Sequence, residues 1–178
     1  MDPFVSDIKK IRERAKKQME KGAVTQGYQG DAEQVCKVLN EALATELVCV
    51  LRYKAHYFAA KGINSEGVKA EFIQHANDEQ GHADQISERI TQLNGEPNLN
   101  PDGLQTRSHS QYETSDDLAT MIKADLFAER IAIDSYGEII RWLGEKDPTS
   151  RRLMESILEK EEEHANDMND LLSRFNSK

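Results

Sequence analysis

The sequence predicts an all-α fold, a four-helix bundle with an extra helix at its N-terminus. Apolar residues recur with the 3.6-residue period of an amphipathic helix along five segments of the 178-residue chain. Charged residues make up 31% of the chain and aromatic residues only 6%, with four prolines and ten glycines. This composition favours long amphipathic helices over strands. The lengths of the connections then predict how the helices are arranged.

The first predicted helix runs from Phe4 to Lys21, and a glycine-containing linker follows over residues 22–30. The helix is amphipathic, with an apolar stripe formed by Phe4, Ile8, Ile11, Ala15 and Met19. We therefore expect residues 1–30 to form an N-terminal helix and linker, ahead of a bundle that spans residues 31–175.

The second and third predicted helices form an antiparallel hairpin. Asp31 is a favourable N-cap for the second helix, which runs to about Lys61. Asn64 or Ser65 can cap the third helix, which runs to about Leu93. Only about three residues join the two helices, and so short a connection makes them antiparallel neighbours.

The fourth and fifth predicted helices form a second antiparallel hairpin. Thr114 or Ser115 begins the fourth helix, which ends at about Leu143. Pro148 occupies a first-turn position of the fifth helix, which runs to about Phe175. About four residues join these two helices, so they are also antiparallel neighbours.

Residues 94–114 connect the two hairpins and show no helical period, so we expect irregular chain there. An extended segment of this length reaches roughly 70 Å, whereas a helix of about 29 residues is roughly 44 Å long. The connection can therefore cross the full length of the bundle, as in four-helix bundles with one long crossover. A loop that does not cross is the alternative.

The chain is acidic, with 23 Lys and Arg against 32 Asp and Glu and a net charge of -9. Residues 1–22 carry seven basic and four acidic side chains, which leaves the remainder strongly acidic. This balance argues against a protein that coats nucleic acid with a basic surface. There is no apolar run of about 18 residues and no secretory signal core, so we expect a cytoplasmic protein without a membrane partner.

A glutamate interrupts the apolar face of each long helix near its middle. Two helices carry one such glutamate each, and the other two carry a Glu-x-x-His motif. In chain order, the residues are Glu46, Glu79, His82, Glu129, Glu161 and His164. The first two glutamates are 33 residues apart and the last two are 32 apart, so the sequence predicts two weakly similar helical hairpins. We expect the four glutamates to lie at one depth in the bundle.

Charge explains why such a set points to metal binding. A single ionised carboxylate in a helical core costs several kcal/mol, and four together could not all stay ionised without cations. Two divalent metal ions would balance four glutamates. The i, i+3 spacing places Glu and His on one helix face, and carboxylate with imidazole suits iron or manganese. One Glu from each of two helices plus Glu-x-x-His from each of the other two is the ligand set of di-iron and di-manganese carboxylate bundles.

Two tyrosines share a face with the predicted ligands. Tyr53 follows Glu46 by seven residues, and Tyr136 follows Glu129 by seven. We expect both tyrosines to lie beside the metals, with Tyr53 donating a hydrogen bond to a ligand carboxylate and Tyr136 placed likewise. Ordinary core tyrosines are the alternative.

His75 and the two cysteines carry weaker signals. His75 lies four residues before Glu79, on the same helix face, and we interpret it as an ordinary surface histidine, with a position beside the metal ligands as the alternative. Cys36 and Cys49 are about 20 Å apart along one helix, whereas a disulfide needs Cα atoms within about 7 Å. We expect Cys49 to be a buried apolar cysteine rather than a redox thiol.

Four motifs carry a family resemblance that covers roughly residues 31–175. They are LNEALATELVCVLRYKAHY (39–57), DEQGHAD (78–84), DLFAERIAIDSYGEI (125–139) and EKEEEHANDM (159–168). The chain resembles the ferritin-like superfamily, nearest to bacterioferritins and to Dps-like ferritins with a bacterioferritin-type di-iron site. The resemblance implies a ferritin-like four-helix bundle and a ferroxidase. Such an enzyme oxidises Fe(II) with dioxygen or hydrogen peroxide and stores Fe(III) in a hollow cage.

The resemblance also implies roles for the six predicted ligands of two iron ions. Glu79 and Glu161 would bridge the two irons. Each iron would then be completed by one lone glutamate and one histidine, in the pairs Glu46 with His82 and Glu129 with His164. Manganese in place of iron is possible with the same ligands.

Three features depart from the family pattern. Bacterioferritins bind haem through a methionine at the position of Gln80, so no haem is expected. The chain continues only about 14 residues after His164, which favours the dodecamer of Dps-like cages over a 24-mer. The amphipathic N-terminal helix is outside the basic bundle. We expect it to dock on its own or a neighbouring subunit, with DNA binding as the less favoured role.

Three alternatives to an iron-storage protein remain at this point. A rubrerythrin-like di-metal oxidase or peroxidase without storage is one, although the chain lacks the Cys-x-x-Cys pairs typical of rubrerythrins. A Dps-type DNA-protecting shell is the second. A manganese pair with catalase-like activity is the third.

Overall fold

The computed structural model of the chain describes residues 6–176, and every regular element in that range is helical. The elements are α1 (Ile8–Ala15), a 3₁₀ turn (Met19–Lys21), α2 (Ala32–Ala59), α3 (Ser65–Gln92), α4 (Leu104–Arg107), α5 (Leu118–Leu143) and α6 (Pro148–Asn176). The long helix α2 packs along α3, and α5 packs along α6. The predicted all-α four-helix bundle of two hairpins is therefore confirmed.

The core of the bundle consists of two apolar clusters with a polar layer between them. On α2, Leu43 belongs to the first cluster and Tyr53 to the second, and the buried Glu46 lies between them. Each of the other three long helices also contributes to both clusters, with its own glutamate between them. The four glutamates thus share one depth, as their central positions in the helices predict.

The connection between the hairpins runs along α2, which confirms the predicted crossover. The Asn98 backbone N–H donates to Asn40 Oδ1 at 2.7 Å, and the His109 backbone N–H donates to Thr45 Oγ1 at 2.9 Å. Further along, Arg52 donates to the Ser110 hydroxyl at 2.9 Å. These contacts span about 18 Å of α2 at 1.5 Å per residue. The prediction of wholly irregular chain was wrong, because the short helix α4 lies within the crossover.

The N-terminal helix is shorter than predicted. Helix α1 ends at Ala15, and Gln18 adopts a left-handed conformation with φ of 54° that interrupts the predicted run to Lys21. No residue of α1 is buried, and Ile8 is 52% exposed, so the chain's own bundle does not cover the apolar stripe. Short helices gain most of their stability from packing, which accounts for the early end. Phe4, the first residue of the predicted stripe, lies outside the described residues.

The remaining helix ends agree with the predictions within two residues, except at the start of α5. That helix begins at Leu118 with Asp117 as its N-cap, because the Asp117 carboxylate accepts a hydrogen bond from the Thr120 backbone at 2.8 Å. The predicted starts at Thr114 and Ser115 were therefore too early. The division into residues 1–30 and 31–175 stays a prediction.

A buried ion pair fixes α3 against the start of α6. Arg89 contacts Asp147 at 2.9 Å, and Asp147 also accepts hydrogen bonds from the Ser150 backbone at 2.9 Å and from the Tyr28 hydroxyl at 2.9 Å. Tyr28 and Val24 of the linker pack against the apolar core at this end of the bundle. One carboxylate thus joins α3, α6 and the N-terminal linker.

Among residues 6–176, no helix combines the length and the apolar character that a membrane span requires.

The Asp147 carboxylate should contribute measurably to folding. Burial opposes its ionisation, but hydrogen bonds from Ser150 and Tyr28 and the charge of Arg89 hold its pKa below the usual range. Replacing it by asparagine keeps the helix cap and leaves Arg89 buried without its partner. We expect Asp147→Asn to lower the free energy of unfolding by about 3 kcal/mol at pH 7, measured by denaturant titration of metal-free protein.

The lowered pKa of Asp147 also predicts how the effect of this substitution on stability changes with pH. Because the pKa of Asp147 is lower in the folded chain than in the unfolded chain, its carboxylate stabilises the fold fully above the unfolded pKa of about 3.9. This contribution is lost as the pH falls through the pKa of the folded chain. The difference between wild type and variant should therefore shrink on acidification below about pH 4. The exposed control Asp116→Asn should change the free energy of unfolding by less than about 0.5 kcal/mol. An equal effect of the two variants would contradict the role of the ion pair.

Candidate metal centre

The polar layer brings together all six residues that the sequence singles out. Each one lies on a long helix with apolar neighbours on the same face, so packing of the helices carries it into the interior. None is more than 6% exposed: Glu46 1%, Glu79 1%, His82 6%, Glu129 0%, Glu161 1% and His164 2%. Buried glutamates are rare unless they are paired or coordinate metals, so this layer needs a compensating charge.

The two histidines lie close to the carboxylates. His82 Nδ1 is 3.1 Å from Glu161 Oε1, 3.3 Å from Glu79 Oε2 and 3.4 Å from Glu46 Oε2. His164 Nδ1 is 3.4 Å from Glu79 Oε1 and 3.4 Å from Glu161 Oε2. Both histidines therefore face the same two glutamates from opposite sides.

The side chains form two sets that overlap. In each set, every residue offers one ligand atom, and these atoms lie within 4.8 Å of one another. The two sets are Glu46, Glu79, His82 and Glu161, and Glu79, Glu129, Glu161 and His164. Because Glu79 and Glu161 belong to both sets, the arrangement fits two adjacent cations that share two carboxylates.

Unpartnered polar atoms at the centre support this fit. The atoms that lack a hydrogen bond are Glu46 Oε2, Glu79 Oε1, Glu129 Oε2, both carboxylate oxygens of Glu161, and His164 Nδ1. A buried polar atom without a partner costs about 1–3 kcal/mol, and native structures leave few of them. These six atoms lie in a cluster of side chains that could hold a metal ion.

Each tyrosine holds the carboxylate of the opposite hairpin. The Tyr53 hydroxyl on α2 donates to Glu129 Oε1 on α5, and the Tyr136 hydroxyl on α5 donates to Glu46 Oε1 on α2. In both glutamates the other carboxylate oxygen has no hydrogen bond. The tyrosines thus orient one oxygen and leave the second free to bind a cation.

The carboxylates of the centre differ in their affinity for protons. Burial, together with the charges of Glu161 and Glu79, raises the pKa of Glu46 well above its usual range. Burial and the same two neighbours raise the pKa of Glu129. Burial raises the pKa of Glu79, but its polar neighbours Glu46, His164 and His82 outweigh burial and lower it.

The two histidines take up positive charge in the absence of metal. Burial disfavours the imidazolium of His164, but Glu161 and Glu79 outweigh burial and raise its pKa to about 11. Glu161, Glu46 and Glu79 likewise overcome burial and raise the pKa of His82. Protons therefore supply the compensating charge in the metal-free chain, and a cation that binds here has to displace them.

His75 is buried beside the centre, so its predicted position at the surface was wrong. Its side chain is fully buried, and its ring stacks on His164 with centroids 4.0 Å apart. His75 Nδ1 lies 3.2 Å from the Tyr53 hydroxyl. Burial and the neighbouring His164 lower the His75 pKa to about 3, which keeps the ring neutral. Its position four residues before Glu79, on the same helix face, was the available signal.

The sequence analysis did not predict a second buried polar group near the centre. Arg52 contacts Asp125 at 2.9 Å, and Asp125 also contacts His56 Nδ1 at 2.8 Å. Cys49 is buried as predicted, but its sulfur lies 3.4 Å from the Arg52 guanidinium, so its surroundings are not purely apolar. Gln80 is exposed and donates to Asp84 at 2.9 Å.

Comparison with known proteins identifies the class. The family model of the ferritin-like domain matches residues 36–177, so the chain belongs to the ferritin-like family. A bacterioferritin from Mycobacterium avium is 33% identical over 141 residues, which cover 76% of this chain and 81% of the relative. The predicted resemblance is thereby confirmed.

Two solved structures extend the comparison. The bacterioferritin-related protein of Bacteroides fragilis, described as a dodecameric thioferritin, has a TM-score of 0.80 and 30% identity, with 84% of this chain and 90% of that chain covered. The Desulfovibrio desulfuricans bacterioferritin, described with a diiron site in different catalytic states, has a TM-score of 0.73 and 25% identity, with 83% and 85% covered. Both relatives share the bundle described above.

Cation binding at this centre should stabilise the fold. A ligand that binds only the folded state at 100 times its Kd contributes about 2.7 kcal/mol. We expect Mn²⁺ to raise the Tm of metal-free wild type by several degrees and to leave the Tm of Glu129→Gln almost unchanged. Without metal, Glu129→Gln should be at least as stable as wild type, because it removes an acidic group from a buried layer.

Glu138→Gln is the matched control for this measurement. Glu138 is an exposed glutamate on α5, nine residues beyond Glu129 and on the opposite helix face. It should keep the full Mn²⁺ effect on Tm. Equal Mn²⁺ stabilisation of wild type and Glu129→Gln would place the cations elsewhere.

Proposed function

We propose that the protein is a ferroxidase that oxidises Fe(II) at the candidate metal centre and sequesters Fe(III) in a protein cage. The observation that supports this most is the pair of ligand sets that share Glu79 and Glu161. Two cations held side by side allow two one-electron oxidations to be coupled to a single two-electron oxidant. Membership of the ferritin-like family and the likeness to bacterioferritins support the same function.

The proposed roles of the ligands follow from the two sets. Glu79 and Glu161 bridge the two iron positions. Glu46 with His82 completes one position, and Glu129 with His164 completes the other. Four carboxylates carry a charge of -4, which two Fe(II) ions neutralise, and oxygen with imidazole ligands suits iron and also manganese.

The electrons balance with either of two oxidants, dioxygen or hydrogen peroxide. Two Fe(II) ions give up one electron each and become Fe(III). Two electrons and two protons convert dioxygen to hydrogen peroxide, or hydrogen peroxide to two water molecules. The chain's contribution is to hold the two iron positions together, to fix Glu46 and Glu129 through Tyr136 and Tyr53, and to keep bulk water away with the two apolar clusters.

Storage requires an assembly of subunits. The Bacteroides fragilis relative is described as dodecameric and covers 84% of this chain, which supports a homo-oligomer with a dodecamer preferred over a 24-mer. The exposed stripe of α1 is free in the single chain, and we propose that a neighbouring subunit covers it. A cytoplasmic location and the absence of haem belong to the same proposal.

Iron loading tests the function and separates it from its rivals. Fe(II) is added to metal-free protein without oxygen, dioxygen or peroxide is admitted, and the soluble iron per subunit is counted after size-exclusion chromatography. We expect tens of Fe(III) ions per subunit that migrate with a large assembly. Two ions per subunit and no more would contradict storage and indicate a di-iron oxidase or peroxidase.

Substitution of the lone glutamates tests the site itself. Replacing groups that only orient metal ligands costs about 10–100-fold in activity or affinity, so the loss of a ligand should cost at least as much. We expect Glu46→Ala and Glu129→Ala to slow rapid Fe(II) oxidation by about 100-fold or more while keeping the wild-type helical content. Glu138→Ala should oxidise iron at the wild-type rate. Wild-type kinetics in both lone-glutamate variants would contradict the assignment.

A further inference from the structure

A third group of metal-ligating side chains lies between the candidate metal centre and the surface. His75 Nε2 is 3.4 Å from Asp167 Oδ2 and 3.9 Å from Glu71 Oε2. The three residues offer ligand atoms within 4.8 Å of one another. His75 is fully buried, whereas the side chains of Glu71 and Asp167 are 38% and 42% exposed, so the group opens to solvent on its carboxylate side.

The two ring nitrogens of His75 face different neighbours. His75 Nδ1 lies 3.2 Å from the Tyr53 hydroxyl, which itself donates to Glu129. A neutral imidazole that donates through Nδ1 presents a lone pair at Nε2.

His75 Nε2 lies on the side of the ring near the carboxylates of Glu71 and Asp167. His75 Nε2 is buried and has no hydrogen-bond partner. In this tautomer it cannot donate to Asp167, and three electron-rich atoms face one another. A cation among them would satisfy all three at once, and one imidazole with two carboxylates is a ligand set for a divalent metal ion.

The group is continuous with the dinuclear centre. His75 also forms a set with Glu129 and His164 whose ligand atoms lie within 4.8 Å. Its ring stacks on the His164 ring with the centroids 4.0 Å apart. His75 is therefore common to the solvent-facing carboxylates and to the ligands of one buried cation position.

We propose that Glu71, His75 and Asp167 form an outer cation site that takes a divalent cation from solvent and delivers it to the dinuclear centre. The delivery step rests on the proposed function, in which the cation is Fe(II). The two part-exposed carboxylates attract the hydrated ion, and His75 replaces a water on its inner side. The ion is then next to Glu129 and His164, which can take it up without its return to solvent.

Counting bound Co²⁺ tests the outer site without any oxidation step. Metal-free full-length protein is titrated with Co²⁺, and bound metal is measured by equilibrium dialysis and visible absorption. We expect three Co²⁺ per subunit in wild type and two in Glu71→Gln or Asp167→Asn, or a third ion bound at least tenfold more weakly. Both substitutions are at part-exposed positions, and far-ultraviolet circular dichroism checks that each variant is folded.

Glu88→Gln is the matched control, an exposed glutamate on α3 about 25 Å from Glu71 along the helix axis. It should bind Co²⁺ like wild type. The same number and affinity of Co²⁺ in wild type, Glu71→Gln and Asp167→Asn would overturn the outer site.

The same titration of Glu129→Ala separates this proposal from the proposed function. Loss of tight Co²⁺ from the centre in Glu129→Ala, with no effect of Asp167→Asn, would overturn the outer site and leave the dinuclear centre in place. Loss of one ion in Asp167→Asn, with none lost in Glu129→Ala, would support the outer site and contradict the dinuclear centre.

Kinetics provide a second readout of delivery. At low Fe(II), Asp167→Asn should slow the oxidation severalfold, while the number of Fe(II) ions oxidised in the first turnover stays at the wild-type value. An unchanged rate at every Fe(II) concentration would contradict delivery through this site.

Discussion

Four carboxylates buried in one layer of a helical bundle are the constraint on which the rest of the structure depends. An ionised carboxylate removed from water costs several kcal/mol, and like charges so close together repel one another. The layer is therefore stable only when positive charge enters it. Protons on His82 and His164, together with the raised pKa of Glu46 and Glu129, meet this need without metal. In the proposed function, two divalent cations meet it by binding atoms that otherwise have no hydrogen bond.

The fold is organised so that the two hairpins keep this layer in register. One apolar cluster packs on each side of the layer, and polar contacts at the layer and at one end of the bundle cross from one hairpin to the other. The crossing contacts are Tyr53 with Glu129, Tyr136 with Glu46, Arg52 with Asp125, and Arg89 with Asp147. A shift of one hairpin along the other would break all of them. The same contacts that stabilise the bundle thus position the proposed ligands.

Much of this could be predicted from the sequence, because helical period and charge are local properties. The four long helices follow from the apolar period, and Glu46 stands out because it interrupts an apolar stripe. The burial of His75 and the pairing of Arg52 with Asp125 could not be predicted, since both depend on which side chains a neighbouring helix presents. The length of α1 was overestimated for a related reason. A short amphipathic helix gains most of its stability from packing, and no residue of α1 is buried by the chain's own bundle.

The most direct test of the central claim is to locate the metal. Crystals grown with Fe(II) in the absence of oxygen, or with Mn²⁺, would be measured on both sides of the metal absorption edge. We expect two anomalous peaks per subunit between Glu79 and Glu161, roughly 3.5–4 Å apart, one beside His82 and the other beside His164. A single peak between these glutamates, or none, would contradict a dinuclear centre.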